Sequence, residues 1–319
     1  GLVEIAEQLK SADAFGVARI EEALALRTGG VVKPIVLLEG FFDKADLPVL
    51  VANNLQTIVH MPSQIDDIIA AELEAPLKVW LKVDTGMHRL GVAPELAADF
   101  HRRLCQCDNS ADEPVLSTHF ASADDLDSEQ TLQQMRTFEM ACKGLTGLRS
   151  AANSPGLLGW PVSHLDWVRP GYMLYGNSPF SAPHPNTDSL EPVMTLTSAV
   201  ISLRDVAAGE SVGYAASWTA SRPSRIATVT IGYGDGYPRS AVNGTPVLVN
   251  GQRAPLAGRV SMDMITVDVT ELSDVQVGDE VVLWGEGLPV GEVAHYANTI
   301  GYELTTRMPL RTPRVVINE

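Results

Sequence analysis

The stretch DAFGVARIEEALALRTGGVVKPIVLLEG, residues 13–40, decides the fold class. Two short apolar runs, DAFGVA and PIVLLEG, flank a segment whose apolar residues recur at helical spacing before a Gly-Gly stop. A strand, a helix and a second strand in this order form a β/α unit, and repeated units of this kind build a parallel sheet. The first half of the chain is therefore predicted to be an α/β domain.

The same alternation continues along the chain. Five further apolar, β-rich runs predict strands: TIVHM (57–61), VWLKVDTG (79–86), VLSTHFAS (115–122), RSAANS (149–154) and WVRPGYMLYG (167–176). SQIDDIIAAELE (63–74) predicts a helix with Ser63 as its N-cap. Because no Gly-rich turn with a following acidic residue suggests a dinucleotide fold, the regular repeat favours a (β/α)8 TIM-type barrel.

The predicted strands are one too few for that barrel. The runs give seven strands, whereas a closed barrel of this class needs eight. The chain opens with LVEIAEQLK (2–10), whose apolar positions predict a helix that would follow a strand. We therefore expect the first strand to lie upstream of residue 1, which leaves the barrel incomplete at its N-terminus.

A different pattern begins after the Pro- and Ser-rich connection at 177–192. Beyond it, runs such as MTLTSAVISL (194–203) and DEVVLWGEG (279–287) are short, alternating and broken by Gly and Pro turns. This pattern is typical of antiparallel β structure. We predict an incomplete barrel domain at 1–185 and a mainly antiparallel β domain at 186–319.

Composition and charge exclude several classes of partner. With 23 Lys and Arg against 39 Asp and Glu, the net charge of -16 leaves no overall positive field for nucleic acid or an anionic membrane surface. No run of about 18 apolar residues predicts a transmembrane helix. Three cysteines, an odd number in a long chain, fit a reducing compartment better than a disulfide framework. We predict a cytoplasmic protein without a metal site.

Barrel geometry gives the polar residues of the first domain a location. Active sites of such barrels lie at the C-terminal ends of the strands, and the loops after the seventh and eighth strands often hold a phosphate. With an upstream first strand, these loops follow the last two predicted strands and contain Asn153, Ser154 and Gly171. Short polar side chains and backbone N–H groups suit a phosphate dianion. Arg169 would lie just inside; the alternative is an ion pair with a core carboxylate such as Asp166.

Other polar residues collect at the same strand ends, namely Lys82, Asp84, His88, Arg89 and His119. The β domain carries further candidates, which are Tyr214, Met262, Asp263 and Tyr302. Each has a simpler explanation alone, because a single His or Tyr more often packs in a core and a Lys near an Asp more often forms a surface ion pair. GYGDGY (232–237) is Gly-rich, but its spacing predicts a turn and not a dinucleotide loop.

Taken together, eight segments resemble the bacterial alanine racemases, which are pyridoxal-phosphate enzymes built from a barrel and a β domain. The segments are KVDTGMHRLG (82–91), STHFASAD (117–124), the Asn-Ser of AANS (151–154), DWVRPGYMLYG (166–176), SVGY (211–214), GYGDGYPR (232–239), GRVSMDM (258–264) and GYEL (301–304). They occur in family order and span essentially the whole chain. The resemblance implies interconversion of L- and D-alanine by a two-base Lys/Tyr mechanism on a pyridoxal phosphate Schiff base. It also implies a homodimer with a shared active site, which supplies D-alanine for peptidoglycan.

The resemblance also implies how the cofactor is held. Arg169 would face the pyridine nitrogen, and because arginine does not give up its proton, that nitrogen would stay unprotonated. A weaker electron sink favours reprotonation of the substrate carbon over transamination. Ser154, the backbone of Gly171 and Tyr172, and the hydroxyl of Tyr302 would bind the phosphate. Tyr172 stands where the family commonly has a small aliphatic residue.

Racemisation needs acid/base groups on opposite faces of a planar carbon. By resemblance, Tyr214 of the partner subunit is one of them, and His119 links it to Arg169. An unperturbed tyrosine titrates near ~10, so nearby positive charge is needed to make it a base around neutrality. Arg89 would orient the substrate carboxylate and the cofactor phenolic oxygen, and Lys82 matches a position that is carbamylated in some members.

The remaining matched residues concern substrate access and contact. Met262 and Asp263 would contact substrate, mainly through backbone N–H groups. Four residues match those that line the narrow corridor admitting substrate: Asp124, Tyr233, Arg239 and Arg259. Such a corridor would select small amino acids by size.

The second base of the family is the lysine that carries the cofactor, in a segment ending Gly-His-Gly after the first barrel strand. None of the lysines of this chain matches it, and Gly1 resembles the last residue of that segment. We therefore expect this lysine upstream of residue 1. The alternative is a fragment that would not racemise.

Three alternative functions stay open. A broad-specificity amino-acid racemase of the same fold is the nearest. A related barrel decarboxylase would carry a cross-subunit cysteine segment, which we do not find. A non-catalytic pyridoxal phosphate carrier would need neither the β domain nor Tyr214, and this chain has both.

Overall fold

The computed structural model describes residues 1–317. The chain divides into two compact units, Gly1–Pro170 and Gly171–Glu319. The boundary near residue 185 stays a prediction.

The first unit is built on a six-stranded sheet whose strands follow one another in chain order, each parallel to its neighbours. The strands are β1 (Phe15–Val17), β2 (Ile35–Leu37), β3 (Leu55–Val59), β4 (Leu77–Lys82), β5 (Ser110–Ser117) and β6 (Arg149–Ser150). The helices are α1 (Leu2–Gln8), α2 (Ile20–Thr28), α3 (Leu47–Ala52), α4 (Pro62–Ala70), α5 (Ala97–Cys105), α6 (Gln130–Ala141) and α7 (Ser154–Gly159). The repeated β/α units predicted from the sequence are present.

The middle strands of this sheet, β2, β3 and β4, are largely buried on both faces. All three residues of β2 are buried, and so is Leu81 in β4. Near-continuous aliphatic runs are typical of strands covered by helices, and here Leu26, Ile65 and Leu104 supply part of that cover. Polar loops follow these strands at their carboxyl ends.

Two local predictions are wrong. The segment 167–176 is not a strand: only Trp167 forms a bridge, to Ser150, and Tyr172–Tyr175 is a 3-10 helix. Pro170 has no N–H to donate to a strand partner, which ends the pairing there. The helix after β3 is not capped by Ser63 but begins at Pro62, whose ring presets the backbone of a first helical turn.

The second unit is centred on an antiparallel six-stranded sheet in the order β12-β11-β14-β7-β10-β13. These strands are β7 (Leu196–Val206), β10 (Ser224–Val229), β11 (Pro246–Val249), β12 (Gln252–Pro255), β13 (Ile265–Asp268) and β14 (Glu280–Trp284). A separate hairpin pairs β8 (Ser211–Val212) with β9 (Trp218–Thr219), and two helices follow, α8 (Val290–Tyr296) and α9 (Gly301–Thr306). The predicted antiparallel β domain is present.

Within residues 1–317, none of the helices combines the length and the apolar composition that crossing a bilayer requires.

Candidate active site

The carboxyl ends of neighbouring parallel strands bring four predicted residues together in the first unit. Lys82 is the last residue of β4, His119 follows β5 closely, and Arg169 lies just beyond the bridge next to β6. Arg89, in the loop after β4, acts electrostatically on both Lys82 and His119. We call Lys82, Arg89, His119 and Arg169 the strand-end cluster. The cluster lies at the C-terminal ends of the strands, where the active sites of barrel enzymes are found.

Arg169 is fixed by acceptors from two strand ends. Its Nη1 donates to Ser150 Oγ, and its Nη2 donates to the carbonyl oxygens of Thr118 at 2.6 Å and Ala151 at 3.0 Å. Burial lowers the pKa of Arg169 to about 10, so the guanidinium stays charged at neutral pH. The fork is therefore held rigidly, with its charge intact.

The alternative ion pair of Arg169 with Asp166 is wrong. The Asp166 carboxylate instead accepts a hydrogen bond from the backbone N–H of Arg149 at 2.8 Å. Among residues 1–317, no carboxylate pairs with Arg169, and its Nε–H has no acceptor. The cation and one of its N–H donors are thus available to a ligand.

Lys82 is only 8% exposed. Burial, together with the positive charges of Arg169 and Arg89, lowers the pKa of Lys82 to about 8, against the opposing effect of Asp84. Burial would raise the pKa of Asp84, but hydrogen bonds from the backbone N–H groups of Gly86 and His88 and from the His88 ring hold it below its usual value. Asp84 is therefore a fixed anion, and Lys82 is partly neutral in mildly alkaline solution.

His119 is neutral at physiological pH. Burial, followed by the positive charges of Arg169, Lys82 and Arg89, lowers the pKa of its imidazole to about 3. A neutral ring between cations keeps a lone pair that can accept a hydrogen bond.

Acidification is expected to destabilise the protein through His119. Because its folded pKa of about 3 lies below the ordinary 6.5, the unfolded chain binds a proton between these values that the folded chain does not. The contribution of His119 to the free energy of unfolding is therefore complete above pH 6.5 and is lost as the pH falls toward 3. From about pH 7 to about pH 5 the loss is on the order of 2 kcal/mol, measurable by urea unfolding. In His119→Gln the loss over this interval should shrink, and an identical loss would contradict the assignment.

The loop after β6 leads directly into α7. Asn153 is the N-cap, and its side-chain oxygen accepts the Gly156 N–H at 3.0 Å. Ser154 is the first helical residue and is buried. Capping thus occupies the Asn153 side-chain oxygen and sets the backbone of Ser154. Asp124 lies exposed in the loop after β5, outside the strand-end cluster.

In the second unit, Tyr172 and Tyr302 stack on each other. Their ring centroids are 3.7 Å apart and their planes differ by 12°. Gly301 makes room for this pair, since a Cβ there would lie 2.0 Å from the Tyr172 hydroxyl. Burial and the neighbouring Tyr302 raise the pKa of Tyr172 to about 12. The side chain of Tyr172, and not only its backbone near Gly171, therefore supports Tyr302, which sequence reasoning missed.

Tyr214 begins a strained turn. It is 68% exposed, and the next two residues, Ala215 and Ala216, have φ of 60° and 47°. Left-handed backbone costs a residue with a Cβ about 1–2 kcal/mol. Strain of this kind concentrates at functional sites. The turn holds Tyr214 toward solvent in the isolated chain.

Two predicted corridor residues share a cavity of about 480 Å³, whose lining includes Arg239, Arg259, Asn243 and Ser217. The Arg239 guanidinium carbon lies 5.9 Å from the centroid of the Tyr233 ring. The cavity is therefore lined by two cations in a strongly acidic protein.

Met262 and Asp263 lie in an exposed loop before β13. Arg311 fixes this loop, because it donates to Asp263 Oδ1 at 2.6 Å and to Asp235 Oδ1 at 2.8 Å. In the described part of the chain, the backbone N–H groups of Met262 and Asp263 have no acceptor. Arg311 lies outside every segment that the sequence singled out.

The donor set of the strand-end cluster suits an anionic ligand with an aromatic nitrogen. Lys82 lies within electrostatic range of two further cations, Arg169 and Arg89, and of the Asp84 carboxylate, which leaves an excess of positive charge. A phosphate or carboxylate would compensate the excess, and the Nε–H of Arg169 can donate to a ring nitrogen. The residues present therefore fit pyridoxal phosphate and an amino acid.

Family models match both parts of the chain. The family described as "Alanine racemase, N-terminal domain" matches residues 1–179, and the family described as "Alanine racemase, C-terminal domain" matches residues 193–316.

Individual relatives agree with these matches. An alanine racemase of Vibrio atlanticus is 56% identical over 311 residues, covering 98% of this chain and 87% of the relative. An alanine racemase of Vibrio cholerae is 56% identical over 311 residues, covering 98% of this chain and 86% of the relative.

Solved structures agree as well. The biosynthetic alanine racemase from Pseudomonas aeruginosa matches with a TM-score of 0.95 and 46% identity, covering 99% of this chain and 88% of that one. The alanine racemase from Bartonella henselae with covalently bound pyridoxal phosphate matches with a TM-score of 0.89 and 32% identity, covering 99% and 89%. These matches confirm the predicted fold class, a barrel-type α/β domain followed by an antiparallel β domain. The chain belongs to the alanine racemase family.

Proposed function

We propose that this chain interconverts L- and D-alanine with the help of pyridoxal phosphate. Alanine racemases are pyridoxal-phosphate-dependent isomerases, and the relatives at 54–56% identity carry that name. The observation that carries the proposal is the strand-end cluster, in which a neutral His119 lies within electrostatic range of the guanidinium groups of Arg169 and Arg89. Such a site would bind an anionic cofactor and substrate and would keep a hydrogen-bond acceptor for proton transfer.

The proposed cofactor contacts are with its ring nitrogen and with its phosphate. Arg169 would donate to the ring nitrogen, and its tightly held proton would leave that nitrogen unprotonated. Phosphate contacts are proposed for Asn153, Ser154, Gly171, Tyr172 and Tyr302. When bound, pyridoxal phosphate supplies the electron-withdrawing system that makes the substrate α-proton acidic.

Tyr214 is proposed to act on one face of the substrate α-carbon, from a second copy of this chain. Its hydroxyl oxygen would take the α-proton and return it, while another acid/base group serves the opposite face. His119 would accept a hydrogen bond in this arrangement and connect Tyr214 with Arg169. The exposed, strained turn of Tyr214 supports a role in the active site of a second copy of this chain.

Arg89 would bind the substrate carboxylate. The unpaired backbone N–H groups of Met262 and Asp263 would provide further donors for an anion. The corridor residues Asp124, Tyr233, Arg239 and Arg259 are proposed to admit small amino acids. Binding by charge and selection by size together favour alanine.

Lys82 is proposed to be carbamylated. Lys82 would first lose its ammonium proton. The neutral nitrogen would then form a bond to the carbon of carbon dioxide, as one C–O π bond breaks, and would release a second proton, which leaves a carbamate with a negative charge. The lowered pKa, about 8, supports this because only the neutral amine is nucleophilic. The new carboxylate would orient Arg89 in place of repelling it.

Labelled carbon dioxide tests this modification. In mildly alkaline bicarbonate, NMR of the protein should show a carbamate carbon that grows as the pH approaches 8. The signal should vanish in Lys82→Met and persist in Lys143→Met, which removes an exposed lysine. A signal that survives in Lys82→Met, or none in the wild type, would contradict the proposal.

In the cell, the proposed role is the supply of D-alanine for peptidoglycan by a cytoplasmic homodimer. The proposal is supported by the family and by the acidic composition, which suits neither nucleic acid nor an anionic membrane surface.

A substrate panel tests the proposed function against its nearest rival. The full-length protein should racemise alanine much faster than serine, lysine or arginine, because the corridor excludes long side chains. Comparable rates for lysine or arginine would favour a broad-specificity racemase. Cofactor absorbance without any turnover would favour a non-catalytic carrier.

A further inference from the structure

A buried glutamine ties two loops of the strand-end cluster together. Gln134 projects from α6 and is 1% exposed. Its Oε1 accepts the backbone N–H of Ala121 at 2.9 Å, and its Nε2 donates to the carbonyl oxygen of His119 at 3.0 Å. The same Nε2 donates to Thr85 Oγ1 at 3.1 Å. Both N–H bonds of the amide and its oxygen are therefore used.

The contacts continue to Arg169. Thr85 Oγ1 and Thr118 Oγ1 lie 2.7 Å apart and share a hydrogen bond, and the carbonyl oxygen of Thr118 accepts from Arg169 at 2.6 Å. Thr85 belongs to the loop that carries Arg89, and Thr118 precedes His119. The amide of Gln134 thus stands at the junction of the loops after β4 and β5.

These contacts act on backbone position next to a functional side chain. The carbonyl of His119 and the N–H of Ala121 are both held, which fixes the chain on either side of Phe120. A fixed backbone on this stretch limits where the partly buried His119 ring can lie relative to the charges of Arg169 and Lys82. Without these hydrogen bonds, we expect the ring to become more exposed to water.

We propose that Gln134 is a positioning residue for the racemase site, acting through Thr85 on the loop that carries Arg89 and through the backbone on His119. The proposal rests on the proposed function for its catalytic consequence. Its structural half, the hold on the His119 ring, stands on the contacts of Gln134 alone.

The chain offers a matched control in an earlier β/α repeat, formed by β3 and α4. Gln64 projects from α4 and is 5% exposed. Its Oε1 accepts the backbone N–H of His60 at 2.9 Å, and its Nε2 donates to the carbonyl oxygen of Phe41 at 3.0 Å. Gln64 therefore locks two strand-end loops as Gln134 does, but those loops carry none of the four residues of the strand-end cluster.

The first test compares Gln134→Met with Gln64→Met in the full-length protein. Methionine keeps the length of the side chain and removes its hydrogen bonds, so both variants should lose thermal stability to a similar degree. A displacement of about 1 Å at a catalytic group can lower turnover by roughly 10²-fold, so Gln134→Met should lose kcat/KM on that order and Gln64→Met far less. Thr85→Val should follow Gln134→Met, and Thr85→Ser, which keeps the hydroxyl, should restore activity. Equal losses in the two Met variants would overturn the proposal.

The second test observes the His119 ring directly by NMR, with its signal assigned from His119→Gln. In the wild type this ring should not titrate near neutrality, because burial and the charges of Arg169, Lys82 and Arg89 keep it neutral. In Gln134→Met it should titrate closer to an ordinary histidine, and in Gln64→Met it should not. If the His119 ring shows no titration near neutral pH in Gln134→Met, the proposal is overturned. If the wild type does not racemise alanine, the proposed function fails, while this titration still decides whether Gln134 positions His119.

Discussion

Replacing Tyr214 with Phe is expected to slow solvent exchange of the α-proton of one alanine enantiomer by roughly 10²- to 10⁴-fold while largely sparing the other. The phenol oxygen is the proposed acid/base atom on one face, and Phe keeps the ring while removing that atom. Racemisation in the two directions must fall together, because the equilibrium between enantiomers does not depend on the enzyme. Exchange in heavy water, followed by NMR for L- and D-alanine separately, measures the effect.

The control for this variant is Tyr296→Phe, which removes a phenol oxygen from a partly exposed tyrosine on α8. It should leave the exchange of both enantiomers unchanged. Equal loss of exchange for both enantiomers in Tyr214→Phe, accompanied by loss of bound cofactor, would mark Tyr214 as a structural residue and contradict its proposed role.

Replacing Arg169 with Met is expected to remove most activity and to lower the free energy of unfolding by about 3 kcal/mol, because buried acceptors lose their donor. These acceptors are Ser150 Oγ and the carbonyl oxygens of Thr118 and Ala151. Loss of the positive charge should also raise the pKa values of Lys82 and His119, since Arg169 lowers both. Urea unfolding and NMR titration of His119 measure the two effects.

Arg169→Lys separates charge from geometry. Lysine keeps the positive charge but lacks the fork that reaches several acceptors, and it gives up a proton far more readily than arginine. Stability should be intermediate, and the yield of pyruvate per racemisation event should rise, because a protonated ring nitrogen favours transamination. Wild-type stability and wild-type pyruvate yield in this variant would contradict the proposed function of Arg169.

Patterning predicted most of the fold, because buried parallel strands are written as short apolar runs. The predictions from patterning were wrong where a single residue determines the local structure against the pattern of its segment. WVRPGYMLYG is apolar enough for a strand, yet Pro170 ends the pairing after Trp167, and Tyr172–Tyr175 turns into a 3-10 helix. Likewise, Ser63 looked like an N-cap, but Pro62 starts the helix one residue earlier.

The candidate site was predictable where its residues are charged or titratable and follow a predicted strand. Lys82, Arg89, His119 and Arg169 attract notice as charged or titratable residues at strand ends, and the structure brings them into electrostatic range. Their roles stay predictions. Gln134 was missed because one glutamine in an amphipathic helix gives no periodic or charge signal, and its partners lie on loops that only the fold brings together.

Other omissions have the same physical origin. Arg311 joins Asp235 and Asp263 across a long sequence separation, which no local pattern reveals. The sequence predicted a role only for the backbone of Tyr172. The stacking of Tyr172 on Tyr302 requires that Gly301 leave room for the Tyr172 hydroxyl, which no local pattern indicates.

The most direct test of the central claim is the enantiomeric composition of alanine over time with the full-length protein, started once from pure L-alanine and once from pure D-alanine. We predict that both reactions converge on an equal mixture, that removal of pyridoxal phosphate stops them, and that its return restores them. Failure to convert either enantiomer with the cofactor bound would contradict the assignment of this chain as an alanine racemase.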